Sequence, residues 1–421
     1  MNILFVVPYV PSLIRVRPYN LIRYLTARGH RVTVMTLWTT AEEKEAAARL
    51  AQECHRVEAV ALPRWRSYFN ALSTVPTRTP LQAAYCWQPA LVNQIARLIG
   101  HDNGRAPFDV AHVEHLRGAR FGLAIKSRRE QNVFPPIPIV WDSVDCISHL
   151  FRQAAARGRR IFDRLLTRYE LSRTERYEGW LVSQFEHVLV TSHMDKSALE
   201  ALVGRARPRQ RPPAISVLQN GVDLDYFRPD AHTTRYPATL VVSGKMSYHA
   251  NISMVLHLLQ DIMPRVWEKD ASVQVQVVGK DPPNAVRAFA QDPRVTVTGT
   301  VPEIRAYLQR ATIAVAPLAY GAGIQNKILE AMACAAPVVT TPNAVADLQV
   351  SPGENILVAE NPASFSEQIL QLLHDPALRD RIGQAGRRYV EKNHRWDAIA
   401  AHLEGIYAQV QGASRRSKAG S

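Results

Sequence analysis

Only four cysteines occur in the 421 residues, Cys54, Cys86, Cys146 and Cys334, and no two stand in a C-x-x-C spacing. That scarcity excludes a disulfide framework and a cysteine-ligated zinc module, and it fits a reducing compartment. No apolar run approaches the ~20 residues that a membrane-spanning helix needs. The opening stretch, Met1 to Pro8, is apolar but short. It has no basic segment and no small-residue cleavage site, so it reads as a first strand and not as a signal peptide. Helix-turn-helix, zinc-finger and RNA-recognition signatures are absent, which argues against a nucleic-acid partner. Acidic residues are outnumbered, 37 against 51 basic ones, for a net charge of +14. The surplus leaves anionic small substrates or an anionic membrane surface as the partners to consider. What is present is a globular composition, 47% apolar and 21% charged. The length suits two domains of about 150–200 residues each.

The chain opens strand, loop, helix, strand: residues 2–7, 8–17, 18–28 and 31–37. This β-α-β start is that of a doubly wound parallel sheet. The alternation continues through strands at 57–62, 108–115, 138–145 and 187–191. Residues 63–89, rich in proline and aromatics, read as an irregular excursion with short helices. Eight arginines (152, 157, 159, 160, 164, 168, 173 and 176) crowd one segment, read as a single basic helix over 152–176 that continues to residue 186. It is either a solvated face or a contact for anionic lipid headgroups. Residues 204–213 are an Arg- and Pro-rich break, which predicts domains of 1–212 and 213–394. The second domain repeats the alternation, with strands at 215–218, 238–243, 273–278, 295–299, 313–316 and 337–341 and a helix over 252–267. A helix over 395–410 and a disordered tail over 411–421 end the chain.

One stretch organises the rest. The apolar strand 313–316 runs into Pro317, then a glycine turn at Gly321 and Gly323, then a helix from Lys327 to Ala333. Strand, glycine turn and helix aim free backbone N–H groups at an anion, and glycine lets a phosphate approach the backbone. Lys327 adds a charge in the first turn, and Glu330 lies three residues on, on the same face. A cation for phosphate and a carboxylate for sugar hydroxyls suit a nucleotide-sugar. The plain alternative is an ordinary strand–turn–helix with a solvated Lys and Glu.

The run GIQNKILEAMACAAPVVTT (323–341) resembles the donor-binding signature of family-4 glycosyltransferases, which have the GT-B fold. It is most similar to the branch found with bacterial exopolysaccharide and exosortase-type gene sets. NGVDLDYFRP (220–229) matches a further hallmark of that family. The resemblance implies an α/β fold of two Rossmann-like domains facing a central cleft, with the helix over 395–410 crossing back to the first domain. It implies retaining transfer of a sugar from a nucleoside-diphosphate sugar, with UDP as the family's usual nucleotide, to a hydroxyl acceptor. The acceptor would be a saccharide, a lipid-linked saccharide or a small molecule, in polysaccharide or glycoconjugate biosynthesis. No metal and no cofactor beyond the co-substrate is implied, and Asp223 and Asp225 read as an Asn-Gly turn instead of a metal pair. The protein is expected to be cytoplasmic, at the inner membrane face if the basic helix binds lipid.

By the same resemblance Lys327 meets the diphosphate and Glu330 the ribose. Gly244, Lys245, Gly321, Gly323, Ile324, Gln325 and Asn326 complete the donor set. A second family lysine falls near the uncharged Asn251, so phosphate binding would rest on Lys245 and Lys327. Of the family's two glutamates, the first position is Ala322 here. The loop after the first strand lacks the family's glycine pair, and two readings stand for Arg15 and Arg17: anion contacts, or surface arginines. In FDVAHVEH (108–115), Glu114 and His115 are expected to face acceptor hydroxyl or donor sugar, and His112 to be structural. Glu114, His115, Lys245 and Lys327 form the expected catalytic set. Asp142 and Asp145, just past a strand end, are read as substrate contacts, with helix capping by Asp142 or Ser143 as the alternative. The runner-up functions are a nucleotide-sugar epimerase of the same fold and a catalytically weak nucleotide-sugar-binding partner.

Overall fold

The computed structural model describes residues 1–13, 15–100, 106–157, 161–206, 214–319 and 324–419, with 154–157, 161–168, 206, 415 and 417–419 as backbone only. The chain divides into two units, Met1–Gln219 with Trp396–Ser421, and Asn220–Arg395. Each is a Rossmann-like α/β unit on its own parallel sheet.

The first unit runs β1 (Asn2–Val7), α1 (Val16–Ala27), β2 (Arg31–Trp38), α2 (Ala41–Leu50), β3 (Arg56–Ala61), α3 (Arg64–Ser73), α4 (Leu81–Tyr85), α5 (Pro89–Gly100) and β4 (Val110–Glu114). It continues through α6 (His115–Glu130), β5 (Ile139–Val144), α7 (Ile147–Arg157), α8 (Ile161–Val182), β6 (His187–Val190), α9 (His193–Ala206) and β7 (Ala214–Val217). The strands pair in parallel in the order β3-β2-β1-β4-β5-β6-β7. β1, β4 and β6 are almost wholly buried, as continuous apolar runs in a sheet covered on both faces should be.

The second unit runs β8 (Thr239–Ser243), α10 (His249–His257), α11 (Met263–Lys269), β9 (Gln274–Val278), α12 (Asn284–Arg287), β10 (Val295–Gly299), α13 (Arg305–Arg310) and β11 (Ile313–Ala316). It goes on through α14 (Asn326–Ala333), β12 (Val338–Thr340), α15 (Pro342–Val345), β13 (Leu357–Val358), α16 (Pro362–His374) and α17 (Pro376–Asn393). Its strand order is β10-β9-β8-β11-β12-β13, again all parallel. Within this unit the first and last residues are tied together. His394 Nδ1 lies 2.9 Å from the Asn220 carbonyl, and the Val222 amide donates to the His394 carbonyl at 2.9 Å.

The final helix, α18 (Trp396–Ala419), belongs to the first unit. Trp396, Leu403 and Tyr407 share a core with Ile3, Phe5 and Leu21. The Tyr407 hydroxyl is 2.8 Å from His112 Nδ1, and that imidazole stacks on Phe5 at 4.1 Å.

Three expectations are corrected, and one helix gains a π turn. The boundary falls after Gln219, not after residue 212, because Ala214–Val217 pairs with β6 and completes the first sheet. The expected helix over 252–267 lies within continuous helical backbone from His249 to Lys269, α10 passing into α11 through a π turn at Leu258–Ile262 just ahead of Pro264, which has no N–H to continue an α ladder. The expected basic helix is two, α7 and α8. The tail from residue 411 continues α18 as helix to Ala419. Among the described residues no helix is long and apolar enough to cross a membrane.

Trp396 is 1% exposed in the first unit's core. Trp396→Ala should lower that unit's stability by about 3–5 kcal/mol, the range for emptying a buried aromatic site. Urea unfolding followed by far-UV circular dichroism reads this. A loss below about 1 kcal/mol would show that α18 contributes little to that core.

Candidate functional site

In each sheet the strand order reverses beside the first strand of the unit, at β1/β4 and at β8/β11. Ligands reach open parallel sheets at the carboxyl ends of the strands flanking such a reversal. Both reversals carry the polar groups singled out from sequence.

In the second unit β8 runs directly into Gly244 and Lys245. Gly244 and Gly279 both have φ +154°, and a Cβ on Gly279 would lie 1.8 Å from the Gly244 carbonyl oxygen. A Cβ on Gly244 would lie 2.7 Å from Asn251 Nδ2. Glycine at both positions lets two strand-end loops touch and lets Asn251 slide in beside them. Asn251 is buried. Its Nδ2 donates to the Lys245 carbonyl at 2.9 Å, and its Oδ1 accepts from Lys327 Nζ at 2.7 Å. The residue read from sequence as a missing charge is the residue that positions the remaining one.

Past β11 the chain is held by Thr341, whose hydroxyl donates to the Leu318 carbonyl at 2.6 Å, and by Asn343, which donates to Ala319 at 3.1 Å. Residues 320–323, including Gly321, Ala322 and Gly323, lie outside the described residues. α14 then begins at Asn326, whose Oδ1 accepts from Asn220 Nδ2 at 3.3 Å. Ile324 is buried, Gln325 and Asn326 are half-buried, and Lys245 is exposed. Lys327 and Glu330 are both half-buried on one face of α14. Burial depresses the Lys327 ammonium to about 8, partly countered by Glu330. Burial raises the Glu330 carboxyl to about 7, partly countered by Lys327. The pair combines a cation that gains by meeting an anion with an acid that accepts or donates a hydrogen bond near neutrality.

In the first unit Glu114 ends β4 and is buried. One carboxyl oxygen, Oε1, accepts from the Tyr9 hydroxyl at 3.0 Å, and Oε2 is buried with no hydrogen-bond partner among the described residues. Burial first, then the neighbouring Asp142 charge, pushes this carboxyl up to about 8. His115 follows with φ +65°. Its Nδ1 accepts from the Arg117 amide at 3.2 Å, and burial lowers its pKa to about 3, so it is neutral at physiological pH. Val144, at the end of the adjacent β5, has φ +67°. Left-handed backbone at a β-branched residue is strained, and such strain gathers at functional sites.

Asp142 and Arg17 are not open contacts. Arg17 Nε and Nη2 both lie 2.8 Å from Asp142 Oδ2, and Nη1 donates to the Leu218 carbonyl at 2.9 Å. Burial works against the Asp142 charge, but Arg17, helped by His112 Nε2 at 3.5 Å, outweighs it and holds the carboxyl at about 2. The pair staples the first turn of α1 to the ends of β5 and β7. Asp142 Oδ1 also accepts from the Val144 amide at 3.1 Å. Arg15 is half-exposed, pairs with Glu43 at 2.9 Å and lies over the Tyr9 ring at 4.6 Å. Asp145 is raised to about 7, by burial and then by Asp195, and accepts from the Thr191 hydroxyl at 3.3 Å. Asp223 accepts from the amides of Asp225 and Tyr226 at 3.2 and 3.0 Å, a turn geometry. Among the described residues no group of three or more His, Cys, Asp or Glu is placed to hold a metal ion. Tyr9 and Tyr407, which complete the first unit's network, carried no signal in the sequence, because each partner is over 100 residues away.

Residues 237–375 match the family model described as Glycosyl transferases group 1. The matched segment lies within the second unit. Among characterised relatives, a lipopolysaccharide core biosynthesis mannosyltransferase from Rhizobium leguminosarum bv. viciae is 26% identical over 256 residues, 57% of this chain and 69% of that protein. Among solved structures, sucrose-phosphate synthase from Thermosynechococcus elongatus superposes with a TM-score of 0.69 at 18% identity, covering 98% of this chain and all of that one. The Anabaena protein HepE in complex with UDP and glucose gives 0.67 at 14%, covering 97% and 100%. These structural neighbours are GT-B glycosyltransferases, and at such identities the likeness is one of fold.

The raised Glu114 carboxyl has a consequence for stability. Its folded value of about 8 exceeds the ordinary 4.5, so between those limits the folded state holds a proton that the unfolded state has lost. Stability then falls as pH rises through that window. Glu114→Gln should flatten part of the fall, measured as melting temperature from pH 5 to 8. An unchanged slope would show that the carboxyl is ionised throughout.

Proposed function

We propose that this chain is a retaining glycosyltransferase that moves a sugar from a nucleoside-diphosphate sugar to a hydroxyl acceptor. The observation that carries the reading is the Lys327 ammonium, held by Asn251 in the first turn of α14 at the β8/β11 reversal, with Glu330 one turn on. This lies inside the segment that matches the group 1 model. Lys327, Lys245 and the amides opening α14 would take the diphosphate, stabilising the charge that develops on the leaving group. Glu330 would take the ribose hydroxyls.

Glu114, with Tyr9 and His115, would serve the acceptor side. A protonated carboxyl with one bare oxygen suits a hydroxyl-bearing partner better than an anion. The donor's own phosphate oxygen would take the acceptor proton, so the reading requires no protein nucleophile and no metal. UDP is the favoured nucleotide, supported by its presence in HepE, and a GDP-mannose-dependent mannosyltransferase of Corynebacterium glutamicum, 34% identical over 85 residues, makes a GDP-sugar the competing donor. No observation favours an epimerase. The four cysteines are free, in keeping with work on the cytoplasmic side in polysaccharide or glycoconjugate assembly. Of the eight arginines behind the membrane contact expected over 152–176, Arg157, Arg159, Arg160, Arg164 and Arg168 lie outside the described side chains, and Arg176 is exposed. Arg152 pairs with Glu175, and Arg173 is buried against Glu170 and the carbonyls of Thr74 and Thr77.

Calorimetric titration with UDP, GDP and their nucleosides, and mass-spectrometric detection of transfer from UDP- and GDP-sugars, test the proposal. Lys327→Ala should weaken the bound diphosphate by about 10- to 100-fold, as loss of a charged hydrogen bond does, and leave the nucleoside nearly unchanged. Glu330→Ala should weaken both alike. Equal losses for diphosphate and nucleoside in the lysine variant would contradict its assignment.

A further inference from the structure

α3 is turned inside out. Ser67, Asn70 and Thr74, at helical spacing, face the protein and are under 9% exposed. Asn70 Nδ2 donates to the carbonyls of Trp87 and Tyr85 at 2.8 and 3.4 Å. Arg173 donates to the Thr74 carbonyl at 2.5 Å. The large apolar side chains point the other way, with Trp65 65%, Tyr68 62%, Phe69 64% and Leu72 68% exposed. An amphipathic helix that only packed on its own domain would bury that stripe. Val75 and Tyr169, both 47% exposed, extend it, joined by a hydrogen bond of 2.9 Å from the Tyr169 hydroxyl to the Val75 carbonyl.

The stretch of chain that carries this face has charge of one sign. No Asp or Glu occurs from Ala59 to His101, while Arg64, Arg66, Arg78 and Arg97 do. Arg64 and Arg78 are exposed. Glu170 on α8, which accepts from the Leu81 amide, is buried and paired with Arg173. Aromatic rings beside arginines on a surface helix are the composition of a segment lying in a membrane interface. A stable protein contact buries about 800 Å² on each side, drawn from 20–30 residues, more than this ten-residue helix and its two neighbours present. A bilayer sets no such minimum.

We propose that the exposed face of α3 is a docking surface for an anionic lipid bilayer, with Trp65, Tyr68, Phe69 and Leu72 entering the headgroup boundary and Arg64 and Arg78 meeting the lipid charges. The inference stands apart from the transferase reading, since it uses no residue of either strand-end cluster.

Flotation of the full chain with vesicles tests it. Vesicles of phosphatidylcholine mixed with phosphatidylglycerol should bind the protein, and vesicles of phosphatidylcholine alone should bind it far less. Trp65→Ser with Phe69→Ser should cut binding at least about tenfold with an unchanged melting temperature, since both side chains are exposed. Arg64→Gln with Arg78→Gln should erase the preference for the anionic vesicles. Bromine-labelled lipids should quench tryptophan fluorescence in the native chain more than in Trp65→Phe. Absence of vesicle binding, or binding that survives the Trp65/Phe69 double substitution, overturns the proposal. So does concentration-dependent dimerisation that the double substitution removes while vesicles float free of protein.

Discussion

An ammonium half out of water beside a hydrogen-bond acceptor is the constraint on which the second unit's chemistry depends. Lys327 loses hydration where it stands, and a single amide oxygen from Asn251 returns only part of it. The remainder shows as a depressed pKa, with Glu330 helping to keep the charge. An arriving diphosphate would supply what the protein withholds. Asn251 can do this only because it is anchored on the Lys245 carbonyl, and that approach exists only because Gly244 and Gly279 carry no Cβ. A chain of small steric permissions thus ends in one aimed cation.

The first unit solves a different problem. Its strand ends gather two acids and an arginine in a space from which water is largely excluded. Arg17 is committed to Asp142, so one acid stays ionised as a structural element. Removing either partner would strand a buried charge. The Asp142 charge adds to burial in raising Glu114. Two carboxyls at the ends of neighbouring strands are driven to opposite protonation states, Asp142 ionised on Arg17 and Glu114 protonated near neutrality. Left-handed backbone at His115 and Val144 marks the same two strand ends.

Much of this was legible in sequence where local pattern decides. Buried parallel strands are written as apolar runs, so nearly every strand stood out, as did the helix carrying Lys327 and Glu330. Patterns failed where distant residues decide. The Arg- and Pro-rich run before Ala214 looked like a domain boundary, yet the strand after it completes the first sheet. The helix over 252–267 forms as read, but the π turn ahead of Pro264 was not visible in its pattern. Asn251 looked like a lost lysine because its partner lies 76 residues away. Arg17 was read as an anion contact or a surface arginine and Asp142 as a substrate contact or a helix cap, because nothing local shows that they meet. α3 lay in a stretch read as irregular, and its apolar spacing, taken alone, would have signified core.

The most direct test of the central claim is the titration of the Lys327 side chain, followed by carbon NMR at its Cε with Lys327→Arg to assign the signal. The account predicts a midpoint near 8 in the free protein that moves upward when a nucleoside diphosphate is added and stays in place with the nucleoside alone. A midpoint at the ordinary lysine value of about 10.4, indifferent to the diphosphate, would contradict it.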